Sequence, residues 1–261
     1  MKNLILLMTI FMSAIPMLAS GAPTVTEIIN RANLAAYYAA DDGRAQVDMT
    51  ITDAQGRTRK RQFIILRRDS ADGGEQQFYV YFKRPSDVRK MVFMVHKHID
   101  KDDDRWLFLP ALSLVKRIAA SDKRTSFIGS NFFYEDVSGR LPTADTHELI
   151  KETADDYVIK NIPKDAGEVE FSSYIVWINK KTFMPIKAEY TDKNGKKYRR
   201  VEALKIKDIQ GFPTVTLSKV TDLLNNSFTV SKFSKIKYNI GLDKKIFTER
   251  YLHHPPRQVR R

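Results

Sequence analysis

Residues 45–52 read A-Q-V-D-M-T-I-T, so an apolar residue stands at every second position. Successive side chains of a β-strand point to opposite faces, so this pattern predicts a strand with one apolar and one hydrated face. Gln55-Gly56 follows as a turn signal, and a second strand is predicted near Arg59–Arg67. These residues therefore predict an antiparallel hairpin.

The same period of two recurs along the chain. It marks strands around Phe78–Phe82 and Ile186–Tyr190, and Asn194-Gly195 is a strong hairpin signal. Further strands are predicted over 91–99, 104–109, 144–152, 156–163, 171–180, 197–207, 212–221 and 227–240. About ten strands at hairpin spacing predict a mainly β fold, a single curved antiparallel sheet that is open or nearly closed.

One helix is predicted before the first strand. Apolar residues between Ile28 and Tyr38 are spaced three or four apart, as on one face of a helix. Thr24 or Thr26 can cap its beginning, and Gly43 is expected to end the segment.

Residues 1–21 have the composition of a secretory signal peptide. Lys2 precedes an apolar run from Leu4 to Ile15, and Pro16 and small residues follow. The run is shorter than the roughly 20 residues that a membrane-spanning helix needs. We therefore expect cleavage after Gly21, leaving residues 22–261 as one soluble domain in the periplasm.

Charge and cysteine content narrow the choice of partners. The net charge is +13 at pH 7, which favours anionic partners, although a solvated outer face of the sheet explains most of the scattered basic residues. A secreted chain rarely meets nucleic acid, and no nucleic-acid-binding motif is visible, so peripheral contact with an anionic membrane surface is the better interpretation. The chain has no cysteine, which excludes disulfides, thiolate metal sites and a cysteine nucleophile.

One stretch departs from simple alternation. It reads W-L-F-L-P-A-L-S-L-V-K-R-I over 106–118 and S-F-I-G-S-N-F-F-Y-E-D over 126–136. This ordered pair of motifs resembles the signature of the LolA-like outer-membrane lipoprotein-sorting proteins, although Asn131 stands where an acidic residue is expected. A looser resemblance extends over residues 24–252, nearly the whole chain after the signal peptide.

The resemblance implies a strongly curved, incomplete β-barrel with an N-terminal helix and helical lid or plug segments in its open mouth. Relatives of this architecture hold acyl chains in the concavity and ferry lipid-modified cargo across the periplasm. Members of this branch are similar to proteins that work beside exporters of the RND superfamily. We therefore expect a carrier of lipid or lipid-modified cargo, with acyl chains and an RND-superfamily exporter as partners and no cofactor. The alternative is a periplasmic sensor or accessory subunit that binds a partner protein without moving lipid.

The apolar strand faces provide the candidate ligand cavity. These faces can enclose an apolar ligand in a barrel of this size, although the same residues can also line an ordinary filled core. The candidate cavity residues are Val47, Met49, Ile51, Phe78, Val80, Phe82, Trp106, Phe108, Ile186 and Tyr190.

Residues 106–136 provide a candidate lid. Pro110 and Gly129 interrupt regular pairing, so the segment is expected to leave the sheet and cross the mouth. A lid would turn apolar side chains to the ligand and basic ones to anionic headgroups or a partner, whereas a plug would only complete the core. The candidate lid or docking residues are Arg117, Arg124, Phe127, Phe132 and Tyr134.

Enzymatic alternatives lack a catalytic arrangement. His96, His98 and Asp100 have a spacing that suits a metal, but the sequence positions no third histidine. Gly129-Ser130 lacks the nucleophile-elbow motif, and the adjacent carboxylates Glu135 and Asp136 would not face a common substrate. The sequence therefore predicts a binding protein without catalytic residues.

Overall fold

The computed structural model describes residues 22–260, and the predicted signal peptide, residues 1–21, lies outside them. The described residues form one antiparallel sheet of thirteen strands with short helices around it. The strands are β1 Asp42–Thr52, β2 Thr58–Asp69, β3 Gln76–Arg84, β4 Val92–Lys97, β5 Asp104–Leu109, β6 Leu114–Arg117, β7 Asp145–Glu152, β8 Asp156–Pro163, β9 Phe171–Asn179, β10 Pro185–Asp192, β11 Lys197–Ile209, β12 Phe212–Asp222 and β13 Phe228–Tyr238. The helices are α1 Val25–Tyr37, α2 Tyr134–Ser138, α3 Arg250–His253 and α4 Arg257–Arg260.

The strand order is β6-β5-β4-β3-β2-β1-β13-β12-β11-β10-β9-β8-β7. The first strand of the chain pairs with the last, so the two edges of the sheet are β6 and β7, which follow one another in sequence. These edges do not pair with each other in the part of the chain that the structure describes. The sheet is therefore open, and residues 118–144, here called the crossing segment, link one edge to the other.

The hairpin predictions are confirmed. Strands β1 and β2 pair from Asp42 with Arg68 to Thr52 with Thr58, around a turn in which Gly56 has a φ of 78°. Strands β10 and β11 meet at Asn194-Gly195, and Gly195 has a φ of 81°. Glycine adopts this left-handed conformation without steric cost, which is why these dipeptides mark tight turns.

The helix α1 is confirmed, and Thr24 is its N-cap. The Thr24 side chain accepts a hydrogen bond from the backbone N–H of Glu27 at 3.2 Å. Ile28 and Ala32 pack against β8 and β9. The expected end at Gly43 is wrong, because the helix ends at Tyr37 and Gly43 belongs to β1.

Both faces of the first half of the sheet are covered. On the inner face, apolar side chains of β1–β5 pack with Phe127 and Tyr134 of the crossing segment. On the outer face, residues 239–260 cover β2–β5, with Phe247 and Leu252 fully buried. The hydroxyl of Tyr79 donates to the backbone oxygen of Tyr251 at 2.6 Å, which fixes this C-terminal segment to β3.

Residues 106–136 leave the sheet later than expected. Pro110 begins a single turn of 3₁₀-helix, Pro110–Leu112, after which β6 returns along β5. The proline thus starts a hairpin instead of an exit, because it suits the first position of a helical turn. Only the residues that follow Arg117 cross the concavity.

Candidate ligand-binding cavity

A cavity of about 430 Å³ lies between the inner face of the sheet, the end of α1 and residues 127–137 of the crossing segment. Phe78 of β3 and Ile186 of β10 both reach it, although five strands separate β3 from β10 in the sheet order. The sheet must therefore be strongly curved to bring these side chains to one space.

The cavity has two walls of different character. The aromatic wall consists of Phe63 and Phe78 from the sheet and Phe127 and Phe132 from the crossing segment. The small-residue wall, on β10–β13, consists of Ala188, Val201, Ala203, Ser218 and Ser231. Because the small side chains do not reach across the concavity, a space remains that the aromatic side fills with rings.

Two hydroxyl groups stand in the small-residue wall. Ser218 and Ser231 face each other across β12 and β13. Their Oγ atoms are buried and have no hydrogen-bond partner among the described protein groups. Each hydroxyl can donate one hydrogen bond and accept others, so this wall can bind a polar atom inside a largely apolar ligand.

The end of α1 is fixed beside the cavity by Arg67. Its guanidinium donates to the backbone oxygens of Tyr37, Ala39 and Ala40, the last at 2.6 Å. Tyr37 is the last residue of α1, where a helix leaves its backbone oxygens unpaired, and Ala39 and Ala40 follow just after the helix; a cation also suits this end of the helix dipole. Burial raises the pKa of the neighbouring Asp69 to about 6. Because Arg67 bonds to three backbone oxygens, its positive charge serves to hold the end of α1 in place.

Arg124 fixes the crossing segment to the second half of the sheet. Its guanidinium donates to Glu135 at 2.5 Å and to both carboxylate oxygens of Glu170, at 2.7 and 2.8 Å. It also lies over the rings of Phe133 and Phe171, 4.9 and 4.8 Å from their centroids. Burial lowers the pKa of Arg124, but its hydrogen bonds to the Glu170 carboxylate and the nearby charges raise the pKa by more than burial lowers it.

Lys97 fixes the other end of the crossing segment to β4. Its amine is buried and donates to the backbone oxygen of Ser138 at 2.8 Å. The Ser138 hydroxyl in turn donates to Asp103 at 2.9 Å, and Asp103 accepts from Arg105 at 2.6 Å. Burial lowers the pKa of Lys97 to about 8. The crossing segment is thus bonded to both halves of the sheet that it spans.

Comparison with known proteins identifies the family. A family model whose description reads only "Uncharacterized protein" matches residues 74–254, more than half of the chain. A solved DUF1329 family protein from Desulfovibrio piger is 28% identical, with a TM-score of 0.80 over 87% of this chain and 97% of that one. A domain from Vibrio parahaemolyticus that is assigned to outer membrane lipoprotein sorting is 26% identical, with a TM-score of 0.78 over the same shares. The chain belongs to the LolA-like outer-membrane lipoprotein-sorting protein family.

A third structure supports the fold of this LolA-like chain. A LolA superfamily protein from Nitrosomonas europaea is 19% identical and has a TM-score of 0.69, over 88% of this chain and 100% of that one. None of the curated proteins matches the chain.

Half of the predicted cavity residues line the cavity of the LolA-like chain. They are Val47, Met49, Phe78, Val80 and Ile186. Ile51 and Phe82 lie on the same inner face but are buried in the adjoining core around Phe127. Tyr190 stacks on Tyr174, with ring centroids 4.8 Å apart, beneath Arg124 and outside the cavity.

Trp106 and Phe108 require a correction, because they lie on the outer face of β5. There they pack with the C-terminal segment, and the Phe108 ring centroid lies 4.6 Å from that of His253. Their neighbour Leu107 is the residue that faces the inner core. The run 106–109 is apolar at every position, so its sequence does not distinguish the two faces.

The predicted lid residues divide into three groups. Phe127 and Phe132 line the cavity, and Tyr134 packs in the adjoining core. Arg117 lies on the exposed edge strand β6, paired with Asp104 and 4.7 Å from the Trp106 ring centroid, outside the crossing segment. Arg124 has only 6% of its side chain exposed, so the expectation that it offers a free basic docking group is wrong. Its three charge-assisted hydrogen bonds keep it buried.

Sequence reasoning missed the small-residue wall. Alternate positions of β11 and β12, among them Ala203, Thr214 and Ser218, carry small side chains at a period of two. That pattern is visible in the sequence, but a search for large apolar residues does not detect it. Phe233 of β13, which also lines the cavity, was missed as well.

The two histidines that were candidate metal ligands, His96 and His98, are engaged in structural contacts. His98 contacts Glu75 at 2.9 Å and Asp104 at 3.1 Å, and His96 contacts the backbone oxygen of Phe247 at 2.7 Å. Within residues 22–260 no group of three His, Cys, Asp or Glu side chains is arranged to hold a metal ion.

The same residues contain no helix that is long and apolar enough to cross a membrane.

Proposed function

We propose that this protein is a periplasmic carrier that holds an acyl chain of a lipid or lipid-modified cargo in the 430 Å³ cavity and takes it toward the outer membrane. The cavity itself carries the proposal. Its volume lies in the range of about 300–1,000 Å³ that is typical of small-molecule sites. Its walls are mostly apolar, and membership in the lipoprotein-sorting family makes an acyl chain the preferred occupant.

The hydroxyls of Ser218 and Ser231 suit the polar end of an acyl chain. A fatty acyl ester has one carbonyl group next to a long apolar tail. A serine hydroxyl that donates to this carbonyl would fix the depth of the chain without interfering with the apolar contacts.

A carrier must also release its cargo. Burial of an acyl chain contributes about 0.8 kcal/mol per methylene, so a long chain is held tightly unless opening the cavity offsets part of this energy. The crossing segment forms part of the cavity surface through Phe127, Phe132 and Val137. We assign it the role of a lid that must move for release, with a membrane exporter of the RND superfamily as the partner that loads the cargo. The family resemblance alone supports that partner.

A larger side chain on the small-residue wall tests the proposal, because it fills the cavity. The variant Ala203→Phe places a ring where the acyl chain is expected and should abolish the binding of a fluorescent fatty acid. Leu204→Phe is the matched control, because Leu204 is 50% exposed and does not line the cavity. Unchanged binding by a folded Ala203→Phe variant would contradict the proposal.

The periplasmic location rests on residues 1–21. We propose that they are removed, so that the exported protein begins at Ala22 and is recovered in the periplasmic fraction. N-terminal sequencing of the fractionated protein tests this, and a chain that keeps Met1 and sediments with membranes would contradict it.

A further inference from the structure

The sheet divides between β12 and β13. Their pairing runs from Thr221 with Phe228 to Leu217 with Lys232 and ends there. Residues 212–216 go on to pair only with β11, and residues 233–238 only with β1. The two strands thus diverge over half of their length and leave a gap in the wall of the concavity, here called the β12–β13 gap.

Bulges on both sides explain the gap. The register of β11 shifts on each side of Lys205, opposite β12, and the register of β13 shifts around Lys235, which has a φ of 49°. A bulge adds a residue to one strand and increases its twist, so it bends the strand away from its neighbour. The gap ends where the Thr214 and Tyr238 hydroxyls meet at 2.9 Å and the Tyr238 N–H donates to the Gln210 side chain at 2.9 Å.

An open groove of about 620 Å³ lies at the β12–β13 gap. Phe233 and Ile236 line this groove and also line the ligand cavity. The same two side chains therefore separate the apolar interior from the groove. The groove leads toward the cavity from the side of the sheet, away from the crossing segment.

Lysines surround the groove. Lys205, Lys207, Lys232 and Lys235 line it, all four are exposed, and none forms an ion pair within the described residues. Asp48 faces Lys232 across β1 and β13, but its carboxylate accepts a hydrogen bond from Gln62 at 2.8 Å. The four amines are therefore available to an anion.

We propose that the β12–β13 gap is a lateral portal, at which the lysines bind the phosphate of an anionic lipid headgroup while its acyl chain passes between Phe233 and Ile236 into the cavity. This inference rests on the proposed function, because it assumes that an acyl chain occupies the cavity. An ammonium group and a phosphate form strong charge-assisted hydrogen bonds, and unpaired lysines beside an apolar opening match a ligand with an anionic head and an apolar tail.

The first experiment compares two ligands that share one acyl chain. Lysophosphatidylglycerol carries a phosphate, and the corresponding monoacylglycerol does not. The wild type should bind the phosphate-bearing ligand more tightly, and the excess affinity should fall with added salt. The variant Lys205→Glu, Lys232→Glu, Lys235→Glu should lose about tenfold or more in affinity for lysophosphatidylglycerol and keep its affinity for monoacylglycerol.

A matched variant controls for net charge. Lys164→Glu, Lys181→Glu, Lys193→Glu changes the charge equally at exposed lysines that form no ion pair among the described residues, and both affinities should stay at the wild-type values. An equal loss in both variants would overturn the portal, because it would show general charge attraction. Binding of both ligands with no effect of the groove variant would overturn the portal and leave the carrier intact. If the wild type binds neither ligand, the carrier itself fails.

The second experiment locates the phosphate directly. The chain has no cysteine, so a single introduced cysteine carries a nitroxide label at one known place. A label at Lys205→Cys should broaden the phosphorus-NMR signal of bound lysophosphatidylglycerol, and a label at Lys193→Cys should not. Broadening from a label at Asn131→Cys on the crossing segment, without broadening from Lys205→Cys, would show that the headgroup leaves by the lid and would overturn the portal.

Discussion

The aromatic wall and the small-residue wall belong to one sheet and follow the same alternation, yet one is filled and the other borders a space. Phe127 of the crossing segment lies 5.4 to 6.3 Å, between ring centroids, from Phe63, Phe82 and Phe93. Ala203 and Ser218 pair across β11 and β12 and leave the space in front of them open. The comparison shows that side-chain size, not polarity pattern, decides where a β concavity becomes a binding site.

The largest expected effect comes from removing a ring from the aromatic wall. Phe127→Ala should lower the free energy of unfolding by about 3–5 kcal/mol, because it removes a buried ring and leaves a cavity that its neighbours fill only in part. Urea denaturation measures this loss. A cost under about 1 kcal/mol would show that this wall is loosely packed and that the two walls do not differ as described.

Breaking the buried attachment of the crossing segment should cost slightly less. Arg124→Met leaves Glu135 and Glu170 without their shared cation and should lower the free energy of unfolding by about 3 kcal/mol. The loss should be no larger than this because Arg140, 3.6 Å from Glu135, still balances that carboxylate. Arg117→Met is the control: its side chain is 60% exposed, so it should cost under about 1 kcal/mol. Equal costs in thermal unfolding of the two variants would contradict the buried role of Arg124.

The lowered pKa of Lys97 predicts that stability depends on pH through the attachment of the crossing segment to β4. Burial lowers its pKa from 10.5 to about 8, so the unfolded chain binds more protons than the folded chain between these values. The contribution of Lys97 to stability is fully present above pH 10.5 and is lost as pH falls through 8, a change of up to about 3 kcal/mol. Lys97→Met should remove this rise with pH. Parallel curves of unfolding free energy against pH for the two proteins would contradict it.

The smallest expected effect on stability belongs to the small-residue wall. Ala203→Phe adds a ring where space exists and should change the free energy of unfolding by under about 1.5 kcal/mol, even though it is expected to abolish acyl binding. Denaturation of the variant beside Phe127→Ala tests the contrast between the walls. A loss as large as that of Phe127→Ala would show that the cavity has no room for the ring.

Most of the fold could be predicted from local sequence. Alternation and turn dipeptides gave twelve of the thirteen strands, because each depends on residues near in the chain. The short strand β6 was missed, since Leu114–Arg117 shows no clear alternation and pairs only through the turn at Pro110. The closing contact between β1 and β13 joins residues at opposite ends of the chain, and no local signal reports it.

The site could be predicted only in part, because side-chain direction and ion pairing are tertiary properties. Val47 and Met49 were assigned to the correct face, since their strand alternates strictly. Trp106 lies in an apolar run covered by a C-terminal segment that sequence reasoning did not place. Arg124 was expected on the surface as a charged residue, because its partner Glu170 lies 46 positions away in sequence.

The central claim, that the cavity holds an acyl chain, is tested most directly by mass spectrometry of organic extracts from protein purified from the periplasm without detergent. The wild type should yield an acyl lipid in proportion to protein, and Ala203→Phe prepared in parallel should yield none. A wild-type extract free of acyl compounds, from protein that also takes up none during incubation with lipid, would contradict the claim.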